Sequence, residues 1–245
     1  MVRRHYFPFV KTLGATLWAS VQVIGRDLVG TPTPEQLDDI LNAWSDRVFR
    51  IGAVNLTSID SDRYEDARPV AGKAGAAYVV MTNHQSLLDI PAVVSTFPGR
   101  VRMVGKRELS KVPVWGKAMK AGGIVFVDRD NREQSIAALE LAKAQLQQGT
   151  SIWIAPEGTR GPPGELLPLK KGGFHVATQL GVPIAPAWIT GTADIIAPDS
   201  FGVLLHGTVT VRYGAPIATD GVALPDLMEQ VRTALLALQA ASTTS

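Results

Sequence analysis

The chain has 245 residues, enough to bury a sizeable core in one large domain or two small ones. A net charge of only +2, with 46% hydrophobic residues and a mean hydropathy of +0.12, argues against nucleic acid as a partner and leaves an apolar surplus for a core or for lipid. The absence of cysteine excludes disulfides, thiolate metal sites and a cysteine nucleophile.

Arg3, Arg4, Lys11 and Arg26 all precede the first acid, Asp27, and 14 uncharged residues separate Lys11 from Arg26. That run is shorter than the about 20 apolar residues a bilayer span takes, and no A-x-A-like cleavage site follows it. Leu13, Leu17, Val21, Ile24 and Leu28 recur at spacings of three and four, with Val10 and Trp18 beside them, which predicts an amphipathic helix. Two readings suit such a helix. It lies in a lipid surface, where each fully immersed apolar side chain is worth roughly 1.5–3 kcal/mol and each basic one about 1 kcal/mol, or it packs on its own domain. A second helix starts at Thr33-Pro34-Glu35-Gln36, which combines an N-cap threonine, proline at the first helical position and glutamine three after the cap. Leu37, Ile40, Leu41, Trp44, Val48 and Ile51 form its apolar stripe. Residues 1–52 therefore read as an N-terminal two-helix unit docked, without a flexible linker, on a domain spanning residues 53–245.

From residue 53 onward short β-rich runs alternate with helical stretches. The strands expected are 53–59, 76–82, 100–104, 123–128, 150–155, 183–189 and 207–213. The helices expected are 86–96, 110–121, 131–148, 172–180 and 224–240, followed by a short polar tail, Ser242–Ser245. Several strands are almost continuously apolar, as strands covered on both faces are. The alternation implies an α/β fold with a largely parallel central sheet flanked by helices. Ligands in open α/β sheets sit beyond the carboxyl ends of strands, which directs attention to two polar clusters.

The first is Asn83-His84-Gln85-Ser86-Leu87-Leu88-Asp89, after strand 76–82. A carboxylate bonded to one imidazole nitrogen fixes the tautomer and raises basicity at the other. Asp89 can orient His84 in this way, or merely favour a helix N-terminus. The second is Pro156-Glu157-Gly158-Thr159-Arg160, after strand 150–155. Gly158 permits close backbone approach and Arg160 offers a planar fork suited to phosphate. Lys170, Lys171, Gly172 and Gly173 precede a helix that can present amides to an anion. A third basic stretch, Gly105-Lys106-Arg107-Glu108-Leu109, follows strand 100–104 and leads through Pro113, Gly116 and Gly122 to Val127-Asp128-Arg129. Gly99 to Lys106 fails as a phosphate-binding P-loop, because five residues intervene rather than four and Arg107 stands where Ser or Thr is needed. G-x-S-x-G, H-E-x-x-H and G-x-G-x-x-G are all absent. His5, His175 and His206 have no neighbouring metal-ligand partners in sequence and read as structural.

Asn83 to Asp89 resembles the N-H-x-S-x-x-D first motif of the glycerolipid acyltransferase superfamily, whose best-known members are the 1-acylglycerol-3-phosphate acyltransferases. Gly105–Leu109 through Asp128-Arg129 resembles the second motif, Pro156–Arg160 the third and Val182-Pro183-Ile184-Ala185-Pro186 the fourth. The four blocks stand in the family's order over residues 80–190. The chain departs from the family where a frequent serine after the third motif is Gly172 or Gly173. The resemblance implies transfer of a fatty acyl group from acyl-CoA or acyl carrier protein to lysophosphatidic acid or another lysophospholipid-type acceptor. It makes His84 the general base and Asp89 its orienter, with Lys106, Arg107, Gly158, Thr159 and Arg160 holding the acceptor and Glu157 positioning the hydroxyl or its loop. It implies no metal and no cofactor beyond the acyl-thioester co-substrate. A two-helix unit of this kind implies peripheral or monotopic seating on the cytoplasmic face of the cell membrane. Ser86 as a nucleophile served by His84 is the rival mechanism, and a catalytically silent lipid-binding relative the rival function.

Overall fold

The structure is a computed structural model describing residues 5–70, 73–127, 132–197, 200 and 202–243, with backbone alone for 132–136. Two long helices come first, α1 (Phe7–Val29) and α2 (Pro34–Gly52). α2 begins with the expected reciprocal cap: the Gln36 N–H donates to Thr33 Oγ1 at 3.3 Å and the Thr33 N–H to Gln36 Oε1 at 3.2 Å. The remaining chain runs β1 (Asn55–Ile59), a 3₁₀ stretch (Ser61–Ala67), β2 (Val79–Thr82), α3 (Asp89–Thr96) and β3 (Arg100–Lys106). After a second 3₁₀ turn (Arg107–Lys111) come α4 (Trp115–Ala121), β4 (Val125–Val127), α5 (Arg132–Gln147), β5 (Thr150–Ile154) and α6 (Lys171–Leu180). The chain closes with β6 (Ile184–Thr190), α7 (Thr192–Ile195), β7 (Thr208–Tyr213) and α8 (Leu224–Thr243).

The strands form one sheet of seven in the order β1-β7-β6-β2-β5-β3-β4. Every neighbouring pair is parallel except β6 and β7. The β1–β7 pair therefore runs opposite to the five central strands. β2 and residues 184–189 of β6 are buried throughout, which explains their unbroken apolar runs. Alternation along β2 assigns the faces. Val80 points toward α2 and α3, joining Val48, Phe49, Ala92 and Val93. Val79 and Met81 point toward α6 and α8, joining Phe174, Ala177, Leu227, Val231 and Leu235. α5 covers the far end of that second face with Ala138, Ala142 and Leu146, a stripe of four-residue spacing. Pro186 is tolerated inside the sheet because the neighbouring chain departs from β7 there: Gly214 N–H donates to Pro186 O, and pairing resumes only at Ile184 with Ile217.

The N-terminal helices are fastened to this body at several points. Val48 and Phe49 of α2 enter the main core. Asp38 accepts from Arg100 Nε at 3.0 Å and from Arg102 Nη1 at 2.7 Å, and Glu35 also pairs with Arg100. α1 joins α2 through Trp44 Nε1, which donates to Thr16 Oγ1 at 3.0 Å, and it packs Val23 beside Ala118 of α4. Its apolar stripe does not turn inward: Val10, Leu13, Leu17, Trp18, Val21 and Leu28 are all exposed, while Ala15, Ser20 and Val23 face the protein. Ile24 alone of the expected stripe is partly covered. Among the described residues no helix is long and apolar enough to cross a membrane.

Two expected helices differ at their starts. The helix expected from 86 begins at Asp89, because the amides of Gln85 and Ser86 are turned onto the Asp89 carboxylate. The helix expected over 110–121 begins at Trp115, because Pro113 closes a γ-turn in which Trp115 N–H donates to Pro113 O. Asp128 and Arg129 of the second motif, Asn131 of the fifth helix, Arg3 and Arg4, and the last two tail residues lie outside the described residues.

Candidate active site

Strands β2, β5 and β3 are adjacent and parallel, with Val80, Trp153 and Met103 side by side in register. His84 lies four residues beyond Val80, Glu157 four beyond Trp153 and Lys106 three beyond Met103, so all three stand on one edge of the sheet. Strand spacing of about 4.8 Å places the β2 and β3 ends roughly 10 Å apart.

The His84 main chain is held from both sides by the loop after β5. Its N–H donates to Glu157 Oε1 at 2.8 Å, and its carbonyl accepts from Gly161 N–H at 2.8 Å. Gln85 adds a side-chain bond to Pro162 O at 3.1 Å. Arg160 is thus one residue from the amide bonded to His84. Glu157 is fully enclosed, and its other oxygen accepts from Leu167 N–H at 2.8 Å. Burial pushes its carboxyl above the ordinary 4.5, and the two amides from Leu167 and His84 partly offset that rise. Each oxygen accepts a backbone amide, so Glu157 clasps one loop to the other. Gly158 has φ +73° in the turn that brings the chain around, a region open to glycine. Thr159 and Arg160 are exposed.

Asp89 is enclosed and its carboxylate accepts four hydrogen bonds. Oδ2 takes the amides of Gln85 (2.7 Å) and Ser86 (2.9 Å) and stands 2.8 Å from His84 Nδ1, while Oδ1 takes the Thr192 hydroxyl at 2.6 Å. An oxygen already fed by two N–H donors acts toward the ring as an acceptor, so His84 Nδ1 carries the proton. The lone pair then sits on Nε2 of a side chain that is 18% exposed. Trp153 braces the ring, with 5.6 Å between centroids and planes at 83°, and its Nε1–H donates to Thr82 Oγ1. Below the histidine, the Asn83 side chain extends the ladder to β6, donating to Ile189 O (2.9 Å) and accepting from Ile189 N–H (2.7 Å).

Ser86 is buried and committed: its hydroxyl donates to Ile196 O at 2.8 Å and accepts from Leu88 N–H at 3.3 Å. Lys106 is exposed at the end of β3, and Arg107 opens the 3₁₀ turn that follows. Lys106 and Arg160 are exposed and make no ion pair with an acid among the described residues. The Gly172-Gly173 pair opens α6, and a Cβ at Gly173 would approach Ile154 and Met81 to 3.1–3.2 Å, so glycine there serves close packing on the sheet. Val182 to Pro186, the fourth block, leads into buried strand β6: Val182 and Pro183 are partly exposed and residues 184–186 are buried. Behind Trp153 a narrow apolar crevice runs between α2, α3 and β3, lined by Leu41, Ile90, Val94, Met103 and Ile124 among others.

Thr192 and Trp153 were not singled out by sequence, and Asn83 stood in the first motif without an assigned role. Thr192 follows β6 at its carboxyl end, in Thr190-Gly191-Thr192, the same position relative to a strand that marks the other two clusters. Among the described residues no group of three or more histidine or acidic side chains is placed to hold a metal ion.

A family model described as Acyltransferase matches residues 61–190, which contain His84, Asp89, Lys106 and the Glu157–Arg160 loop. The chain is 35% identical over 165 residues to mouse 1-acyl-sn-glycerol-3-phosphate acyltransferase alpha, covering 66% of this chain and 58% of that protein. It is 35% identical over 161 residues to the Saccharomyces cerevisiae 1-acyl-sn-glycerol-3-phosphate acyltransferase, covering 63% of this chain and 53% of that one. The chain thus spans somewhat over half the length of these curated relatives. The crystal structure of the 1-acyl-sn-glycerophosphate acyltransferase of Thermotoga maritima superposes with a TM-score of 0.77 at 23% identity, covering 97% of this chain and 94% of that one, a likeness of fold.

Proposed function

This chain belongs to the acyltransferase family, and on that premise we propose that it transfers a fatty acyl group from an acyl thioester to the free hydroxyl of lysophosphatidic acid, giving phosphatidic acid. The observation that carries the reading is the His84–Asp89 pair, a histidine whose Nδ1 proton is claimed by a fully bonded carboxylate and whose Nε2 is left to receive a proton. An alcohol is a poor nucleophile while protonated, and a base is worth about 10²–10⁴-fold. Nε2 takes the hydroxyl proton as the oxygen attacks the thioester carbonyl. The carbon–sulfur bond then breaks, and the imidazolium proton returns to the solution or to the departing thiolate, whose conjugate thiol has a pKa of about 8.5. No covalent enzyme intermediate is needed, and the bonding of the Ser86 hydroxyl to Ile196 and Leu88 disfavours that residue as a nucleophile.

Lys106 and Arg160 receive the acceptor phosphate, with the guanidinium as the bidentate partner, and Arg107, Gly158 and Thr159 complete the acceptor rim. The donor is acyl-CoA or acyl carrier protein, with no further cofactor. The crevice behind Trp153, about 20 Å³ in open volume, has room for no more than the end of an acyl chain. The exposed stripe of α1 lies in the cytoplasmic leaflet as a peripheral anchor, an arrangement supported by the exposure of Val10, Leu13, Leu17, Trp18, Val21 and Leu28.

An assay of thiol release from acyl-CoA against a panel of lysophosphatidic acid, lysophosphatidylcholine and glycerol 3-phosphate tests this. Release should depend on acceptor and be fastest with lysophosphatidic acid, and Arg160→Ala should raise its KM by about tenfold, the loss of one charge-assisted contact. Release without acceptor would indicate a thioesterase, and none with any acceptor a silent lipid-binding relative.

A further inference from the structure

The segment between β3 and α4 has a surface unlike the rest of the domain. Lys111, Val112, Pro113, Val114 and Trp115 are five consecutive exposed residues. Val112, Val114 and Trp115 expose 38%, 43% and 39% of their surface, and Leu87, on the catalytic loop between His84 and Asp89, exposes 41%. The segment is built to hold this shape. Val114 adopts φ +62° and ψ −59°, a conformation that β-branched residues very rarely take, and a Cβ on Gly116 would come within 2.9 Å of the carbonyl oxygens of Leu109 and Ser110. A fold that keeps valine where glycine would be relaxed is presenting the side chain outward.

The surroundings say what covers it. Lys106, Lys111, Lys117 and Lys120 are all exposed around the segment, against one exposed acid, Glu108. α4 packs on α1 through Ala118, Ala121, Ala19, Val23 and Ile24, so the segment leads into a helix that borders α1, whose own apolar stripe is exposed. Apolar tips with one interfacial tryptophan and a basic margin match an anionic bilayer surface. We infer that the Lys111–Trp115 turn is a second lipid-contacting element, dipping Val112, Val114 and Trp115 into the leaflet so that the mouth beside His84 opens on the membrane. It rests on the membrane-surface reading given above, but concerns a different part of the chain. A lipid acceptor would then reach Nε2 by lateral diffusion within the leaflet rather than through water.

The chain has no cysteine, so single thiols can be labelled without altering the native background. Val112→Cys, Leu17→Cys on α1, and Arg63→Cys on the 3₁₀ stretch after β1 are each coupled to a polarity-sensitive maleimide and titrated with vesicles of equal parts phosphatidylcholine and phosphatidylglycerol. The expected result is a blue shift at 112 and 17 with none at 63. A shift at 112 with 17 silent would uphold the second element and remove α1 as the anchor. A shift at 17 with 112 silent would overturn the second element while leaving α1 seated, and silence at both would overturn both. A shift at 112 that appears without vesicles and grows with protein concentration would mean that a second copy covers the turn, and would also overturn the inference.

Discussion

At residue scale the site depends less on the histidine itself than on how completely its neighbours are bonded. His84 was legible in sequence because histidine, serine and aspartate stand at a recognisable spacing after an apolar run. Glu157 was legible as part of a motif with two duties open, the hydroxyl or its loop, and three-dimensional placement adds that both oxygens accept backbone amides. Thr192 was not legible, being more than 100 residues from Asp89 and of a type common in turns. Its hydroxyl orients the carboxylate, and loss of a hydrogen bond to a charged group is worth roughly 1.5–3 kcal/mol. Thr192→Val should therefore lower kcat by about 10- to 100-fold at unchanged KM, and Thr192→Ser should restore most of it. Equal losses in both variants would show that the methyl group matters instead. Glu157 makes a pH prediction. Its folded carboxyl titrates above 4.5, so between 4.5 and that higher value the folded chain holds more protons than the unfolded one. Its contribution to stability is then fully present below pH 4.5 and declines as pH rises through the folded value. In urea unfolding at stepped pH, wild-type stability should decline relative to Glu157→Gln over that window, whereas parallel curves would contradict the burial-driven shift.

At the scale of elements, period and capping located nearly every helix and strand, since residues covered on both faces form the continuous apolar runs of β2, β5 and β6. The exceptions have local causes. α3 starts late because side-chain capture of two amides competes with helix, and α4 starts late because of a proline-closed γ-turn. α7 is only four residues long and carries no period to read. The crevice between α2, α3 and β3 arises from side-chain shape and likewise has no sequence signature. Filling it is the way to test its role: Val94→Phe, at a partly buried position of α3 lining the crevice, should shift the acyl-CoA preference toward shorter chains while preserving turnover of the shortest donor. An unchanged chain-length profile would assign the acyl chain elsewhere.

For the whole molecule, the sheet edge gathers the site and the Asp38–Arg100–Arg102 cluster ties the helical pair to it. Arg102 is 3% exposed and Asp38 21% exposed, so removing the acid strands a buried guanidinium. Asp38→Ala should cost about 3 kcal/mol in chemical unfolding, toward the low end for buried pairs because Asp38 is partly solvated. A loss below about 1 kcal/mol, the range of a surface pair, would mean that the cluster does not hold α2 to β3. The exposed stripe of α1 was legible as amphipathic, but not as outward-facing, because periodicity defines a face without saying what meets it.

The most direct measurement is kcat/KM for acyl transfer to lysophosphatidic acid by wild type and by His84→Ala of matched folded content. A base at Nε2 predicts a fall of at least about 100-fold. A variant retaining activity within a few-fold of wild type, or an acyl group recovered on Ser86, would contradict the account.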